Sequence, residues 1–270
     1  MSSSKRVLKA GILGATGTVG QRFILLLSVH PHFTIHSVGA SSRSAGKKYC
    51  QATKWRMTSP IAADIKDMII KECIPELFKD CDVIFSGLDS DVAGDIGFLV
   101  TNANCSTTGL VVALKPLQDS FGPIESVIVH TMQAVSGAGY PGVASLDIFD
   151  NVVPYISGEE EKMEYETLKI LGDLNQEATG FQLLSSMSVS ASCNRVPVID
   201  GHTECVSVKF KNRPPPSPEQ IIQAFDSYIS EAQQIGCYSA PENPILVQNE
   251  QDRPQPRFDR DNGNGYSVTV

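Results

Sequence analysis

A short apolar run at Val7 to Leu13 (VLKAGIL) and a helix-length one at Gln21 to Val29 (QRFILLLSV) are joined by a turn with glycines at Gly14, Gly17 and Gly20. A buried strand, a turn bare of side chains and then a helix open a βαβ unit. No other feature narrows the fold as much, because parallel strands need crossover connections and a parallel sheet needs cover on both faces. Thr34 to Val38 predicts a second strand. Cys81 to Ser90 (CDVIFSGLDS) predicts a later one that ends in a polar turn. Alternating strands and helices imply an α/β domain with a doubly wound parallel sheet, Rossmann-like in arrangement.

The glycine turn suits a dinucleotide. Bare backbone lets a pyrophosphate approach, and the following helix N-terminus attracts its charge, so Gly14, Thr16, Gly17, Thr18 and Val19 are candidate cofactor contacts. An NAD site carries an acid at the end of the second strand to hold the ribose hydroxyls. Here the chain reads Val38-Gly-Ala-Ser-Ser-Arg-Ser44, with no acid. Ser41, Ser42 and Arg43 suit a 2′-phosphate, which favours NADP. The alternative is a solvated loop with an incidental arginine.

The second half changes character. Ile124 to His130 and Glu204 to Lys211 predict longer strands, and Glu159 to Leu171 and Pro218 to Ile235 predict helices. Arg213 to Pro218 (RPPPSP) reads as an extended connector. The pattern predicts an α+β domain on an antiparallel or mixed sheet, with the division at residues 1–104 and 105–270.

Within TNANCSTTG, at 101–109, Cys105 stands among small and hydroxyl-bearing residues at the start of a helix expected to run from Ser106 to Lys115 and to end at Pro116. A helix N-terminus lowers a thiol's pKa, so Cys105 is a candidate nucleophile, with an inert cap as the alternative. His202, between a glycine and a strand, is placed to move a proton at a sheet rim. Arg195 has no acid nearby in sequence, which frees its guanidinium for a carboxylate or phosphate. Gln133 opens a glycine-rich turn and could orient a carbonyl or water.

Composition removes other classes. A net charge of −8 and pI near 5.1 argue against a nucleic-acid surface. Seven cysteines at irregular spacing, without CxxC, fit neither a disulfide framework nor a zinc site, so no metal is expected. No apolar stretch reaches the ~18 residues of a membrane span, and MSSSKRVLKAG lacks a signal-peptide core, so a cytoplasmic protein is expected.

The motifs GILGATGTVGQRF, SGLDSD, NANCSTTGL, QAVSGAGYPG, GEEEKMEYETLKIL and NRVPVIDGH occur in this order along nearly the whole chain. Together they resemble the aspartate-β-semialdehyde dehydrogenases, most closely their archaeal and fungal branch. The resemblance implies NADPH-dependent reductive dephosphorylation of L-4-aspartyl phosphate to aspartate semialdehyde, in lysine, threonine and methionine biosynthesis, by a homodimer or homotetramer. It makes Cys105 the nucleophile that carries a thioester, His202 the general acid/base and Gln133 the residue orienting the intermediate. Arg195 becomes the clamp on the substrate carboxylate, Glu159 the partner of its ammonium and Lys162 that of its phosphate, with Asn104 beside them. Ser86, Gly87, Asp89, Ser136 and Gly137 join the expected cofactor contacts. Two rivals stay open: a related acyl-phosphate or acyl-CoA reductase of the malonyl-CoA type, and an inactive NADP-binding fragment.

Two departures from the family stand out. After residue 96 a segment bearing a phosphate-binding arginine is missing, and beyond GYSVTV the family has a helix that returns to the nucleotide domain. Lost positioning at a reacting centre can cost ~100-fold in rate. Little or no turnover is therefore expected from these 270 residues alone.

Overall fold

The computed structural model describes residues 6–88, 99–177 and 180–270, and the chain forms two compact units, Met1–Asn102 and Ala103–Val270. The first unit contains β1 (Leu8–Leu13), α1 (Thr18–Leu27), β2 (Phe33–Ala40), α2 (Tyr49–Ala52), α3 (Ala63–Lys66), β3 (Lys71–Glu72), β4 (Val83–Ser86) and β5 (Leu99–Thr101). All five strands are parallel, in the order β3-β2-β1-β4-β5. The winding reverses between β1 and β4, and the carboxyl ends of such strands flank the crevice where α/β sheets bind ligands.

The strands read as apolar runs because both faces are covered. Ala10, Ile12, Ile35 and Val38 pack with Ile24 and Leu27 of α1 and with Tyr49, all nearly devoid of solvent contact. The second strand outlasts its expected end at Val38, since Gly39 and Ala40 pair with β3. Asp89 and the junction after residue 96 lie outside the described residues.

The second unit holds α4 (Cys105–Phe121), β6 (Ile124–Gln133), α5 (Ser145–Ile148), α6 (Glu159–Ile170), the short pair β7 (Asp173–Leu174) and β8 (Phe181–Gln182), β9 (Ser188–Arg195) and β10 (Thr203–Phe210). After these come α7 (Pro218–Asp226), α8 (Glu231–Gln234), β11 (Ile245–Leu246), α9 (Pro256–Asp259) and β12 (Val268–Thr269). Its main sheet is mixed, in the order β10-β6-β9, with β6 antiparallel to β10 and parallel to β9. Along β6, Val127, Val129, Thr131 and Gln133 are buried, whereas Ile128, His130 and Met132 are exposed, the period-2 alternation of a sheet covered on one face. Leu110, Leu114 and Leu117 of α4 and Met163 of α6 join the same core.

Two helices depart from the expected bounds. Helix α4 continues through Pro116 to Phe121. Proline there removes one ladder hydrogen bond, a cost of ~3 kcal/mol, but buried Leu114 and Leu117 on either side hold the helix against the sheet. The expected helix from Pro218 to Ile235 is two helices, because Ser230 starts a new one by a reciprocal cap with Gln233. The Ser-x-x-Gln spacing was readable as that start.

Candidate active site

In the first unit the glycine turn connects β1 to α1 at the reversal point. Gly14 has φ +68°, and its carbonyl accepts from the Gly17 N–H at 3.0 Å, closing the turn. A Cβ on Gly20 would lie 2.2 Å from the Gly14 carbonyl oxygen, so only glycine permits the helix to start this close to the turn. Gly17 caps α1 without any side-chain hydrogen bond, which leaves the helix's first N–H groups to a ligand. These features fit a dinucleotide pyrophosphate. Ser86 and Gly87 end β4, and the Gly87 N–H donates to the Leu13 carbonyl at 3.0 Å, holding the two strand ends together. Ser41, Ser42 and Arg43 follow β2 and are exposed, and the Arg43 guanidinium has no hydrogen bond or ion pair among the described residues.

Two polar residues that pattern reading passed over support this turn. Buried Gln21 donates to the Thr16 carbonyl at 2.9 Å and accepts from the Arg56 N–H at 2.8 Å, and the Tyr49 hydroxyl donates to the Ala15 carbonyl at 2.7 Å. A glutamine inside the apolar run QRFILLL was the available signal.

In the second unit the expected chemistry-bearing residues come together. Cys105 is the first residue of α4, and the Asn104 side chain caps that helix by accepting from the Ser106 and Thr107 N–H groups at 2.9 and 3.1 Å. His202 Nε2 lies 3.1 Å from Cys105 Sγ. The Asn104 amide donates to Glu159 at 2.7 Å, and its backbone N–H donates to Glu166 at 2.6 Å. Gln133 donates to the same Glu159 carboxylate at 3.4 Å. Arg195 is buried at 6% exposure, donating to the Ala134 carbonyl at 2.8 Å and to Gln133 Oε1 at 3.4 Å, with no carboxylate paired to it among the described residues. Glu159 and Lys162 share a helical face with 3.8 Å between charges, the expected i,i+3 relation.

The parallel β6–β9 pairing sets Gln133 opposite Arg195 at the strand ends, and His202 directly precedes β10 on the other side of β6. The 3-10 turn at Val135–Ala138 carries Ser136 and Gly137, in the second unit. A Cβ on Gly137 would sit 2.8 Å from the Arg195 guanidinium and 3.3 Å from the His202 ring. Glycine there is what leaves both side chains their room.

The histidine's proton is fixed by its far nitrogen. The Ala134 N–H donates to His202 Nδ1 at 2.9 Å, so the neutral ring carries its proton on Nε2, directed at the sulfur. Burial, seconded by the Arg195 charge, lowers the His202 pKa, which keeps the imidazole neutral at pH 7. The Cys105 thiol departs from expectation. Removal of water by the surrounding walls, and then the Glu159 carboxylate, push it up, outweighing the N–H groups of Ser106 and Cys105 and the Arg195 charge. The helix N-terminus does not decide the thiol's pKa, because burial and the Glu159 carboxylate outweigh the N–H groups that lower it.

Glu204, on β10, was not singled out by sequence. Burial pushes its carboxyl up to about 8 from the ordinary 4.5. A folded-state pKa above the unfolded one means that the fold favours the protonated acid, so stability is lost as pH rises from 4.5 through about 8. Glu204→Gln is therefore expected to be more stable than the parent at pH 9, by ~2 kcal/mol relative to the difference at pH 5. Thermal melts at the two pH values measure it, and an unchanged difference would refute it.

Among the described residues no helix is long and apolar enough to cross a membrane, and no group of three or more His, Cys, Asp or Glu could hold a metal ion.

Known proteins match this arrangement closely. Residues 9–112 match the family model described as semialdehyde dehydrogenase, NAD binding domain, and 114–270 match its dimerisation domain. The aspartate-semialdehyde dehydrogenase of Candida albicans is 49% identical, covering 98% of this chain and 88% of the relative. That of Methanothermobacter thermautotrophicus is 40% identical, over 98% and 88%. The first alignment spans 322 residues against a chain of 270, so the relative carries residues that this chain lacks. A crystal structure of the Candida albicans enzyme with NADP superposes with a TM-score of 0.89 at 48% identity, covering 97% of this chain and 88% of that one.

Proposed function

The chain belongs to the aspartate-semialdehyde dehydrogenase family, in its fungal and archaeal branch, and from that premise we propose that it reduces L-4-aspartyl phosphate to L-aspartate 4-semialdehyde with NADPH, through a thioester on Cys105. The 3.1 Å approach of His202 Nε2 to Cys105 Sγ, beside the hydrogen-bonded chain Asn104–Glu159–Gln133–Arg195, carries the reading. It is the arrangement of a nucleophile beside a proton handler.

The residues divide the work. Cys105 attacks the acyl carbon and releases phosphate. Cys105 attacks as its thiolate, and His202 donates a hydrogen bond from Nε2 to that sulfur or to the oxygen on which charge develops, while the Ala134 N–H at Nδ1 keeps the proton on Nε2. Arg195, paired to no carboxylate among the described residues, meets the substrate carboxylate, Glu159 its ammonium, and Lys162, half exposed beside it, the phosphate. Gln133, anchored by both Arg195 and Glu159, orients the acyl group. Bound NADPH supplies the hydride. Gly14, Thr16, Gly17, Thr18, Val19, Ser86 and Gly87 would hold its pyrophosphate and nicotinamide half, and Ser41, Ser42 and Arg43 its 2′-phosphate. The dimerisation-domain match supports a homodimer, and we place the enzyme in the cytoplasm, in the biosynthesis of lysine, threonine and methionine.

The test is phosphate-dependent reduction of NADP with aspartate semialdehyde, run beside malonate semialdehyde with CoA. However low the rate of these 270 residues, turnover of the first and not of the second is the expected preference, because an ammonium needs the Glu159 carboxylate. Turnover of the second alone would overturn the substrate assignment.

Two substitutions check individual roles. Arg195→Lys is expected to raise KM about tenfold or more, because an ammonium cannot make the planar two-point contact to a carboxylate. Unchanged KM with a lower kcat would move Arg195 into the chemistry. Arg43→Ala is expected to weaken NADPH by roughly 10- to 100-fold, the loss of one charge-assisted contact of ~1.5–3 kcal/mol, and NADH hardly at all. Equal losses in a binding titration would place the 2′-phosphate elsewhere.

A further inference from the structure

Helix α6 carries four carboxylates that hold groups of other elements, and one of them, Glu159, belongs to the substrate site. Met163 and Thr167 are the buried residues of the helix. At about 100° per residue, Glu159 and Glu166 fall on one side of that buried stripe and Glu160 and Glu164 on the other. The second pair serves β9, the edge strand of its sheet: Glu160 accepts from the Cys193 N–H at 3.0 Å and Glu164 from the Ala191 N–H at 3.1 Å. The first pair holds Asn104, whose amide donates to Glu159 at 2.7 Å and whose backbone N–H donates to Glu166 at 2.6 Å.

An N-cap residue covers the free N–H groups of its helix with its side chain, and its own N–H needs an acceptor in turn. In a capping box a Glu or Gln at the third helical position supplies that acceptor from within the helix. Here the third position of α4 is Thr107, a short side chain whose hydroxyl itself donates to Asn104 Oδ1 at 3.4 Å. Glu166 supplies the acceptor from another helix, sixty-two positions away. Asn104 is thereby fixed at three points: its N–H by Glu166, its Nδ2 by Glu159, and its Oδ1 by the Ser106 and Thr107 N–H groups. The next residue is the nucleophile.

We propose that Glu166 is a positioning residue: by accepting the Asn104 N–H it fixes the start of α4, so that the Cys105 sulfur stays within reach of His202 and of the acyl carbon. The inference deepens the dehydrogenase reading and rests on it for the reaction. The role needs an acceptor at the right reach and does not need its charge.

Three substitutions separate reach from charge. Glu166→Gln keeps the acceptor and drops the charge, Glu166→Asp keeps the charge but withdraws the acceptor by about 1.5 Å, one C–C bond, and Glu166→Ala removes both. With labelled aspartyl phosphate in a single-turnover quench, the Ala and Asp variants are expected to lower the maximal rate of acyl uptake on Cys105 by roughly 10- to 100-fold, the effect of a small misplacement at a reacting centre. The half-saturating concentration should stay within about twofold, because the lost contact positions the nucleophile and does not bind substrate. Glu166→Gln should stay within about threefold of the parent in rate, since its oxygen still accepts. Glu164→Ala is the control for a merely structural loss: it removes a comparable hydrogen bond, at Ala191, and is expected to lower the melting temperature with acyl uptake unchanged. Hydrogen exchange at the Ser106 and Thr107 amides, followed by NMR, reads the turn without any turnover, because Asn104 Oδ1 is their acceptor. It should quicken about tenfold in the Ala and Asp variants and stay as in the parent in Glu166→Gln and Glu164→Ala. Unchanged exchange in Glu166→Ala, a loss of acyl uptake in Glu166→Gln equal to that in Glu166→Ala, or an equal loss in Glu164→Ala would each overturn the inference. A parent that takes up no acyl group counts against the dehydrogenase reading instead, and the exchange rates then still decide whether Glu166 holds the turn.

Discussion

Cys105→Ala is expected to take up no acyl group and to lose at least roughly 10⁴-fold in the acyl-transfer rate, while NADPH binding stays as in the parent. The loss is large because no other sulfur can stand in. Cys193, the buried cysteine, lies on β9 against Met163, with 3.5 Å between the sulfurs and no exposure to solvent. Removing a covalent nucleophile leaves only positioning and electrostatic stabilisation, and in nucleophilic enzymes such losses reach several powers of ten. Labelled aspartyl phosphate in a single-turnover quench measures it. Label on Cys193 or Cys73 in the variant, or an undiminished rate, would assign the chemistry to another residue.

His202→Ala is expected to slow the same step by roughly 10²- to 10⁴-fold, the usual contribution of a positioned acid or base. The Ala134 N–H at Nδ1 makes the prediction sharper. A ring held as the Nε2–H form acts as a donor, so His202→Gln, whose amide also donates, should recover part of what His202→Ala loses. The pH profile separates this from a structural role. With the imidazole pKa lowered and the thiol raised, the parent's rate should climb with pH toward the alkaline side as thiolate forms, with no fall from histidine deprotonation near its ordinary 6.5. Glu159→Gln should shift that climb to lower pH by removing the carboxylate that opposes the thiolate. A bell with a falling limb near neutral pH, or equal losses for the Ala and Gln variants, would contradict the donor role.

Much of this was legible in the residue order. The apolar runs on either side of the glycine turn determined the strand, the helix and the parallel sheet, because burial on both faces leaves no polar alternation and a tight approach leaves only glycine. The absence of an acid after Val38 pointed to the cofactor's extra phosphate, and TNANC placed the thiol at a helix start. The departures came where distant parts override local preference. Pro116 sits mid-helix because the leucines flanking it are held by a sheet assembled from β6, β9 and β10, the last beginning some eighty residues later.

The thiol's protonation, and which nitrogen of His202 holds a proton, belonged to the tertiary structure alone. Cys105 approaches His202 across ninety-seven positions, Glu159 reaches Asn104 across fifty-five, and Ala134 reaches His202 across sixty-eight. A residue's neighbours in sequence state what chemistry it carries. Its pKa and the direction of its proton depend on charges and N–H groups within a few ångströms, and at Cys105 the walls and Glu159, which only folding brings near, outweigh the helix start that the sequence already displayed.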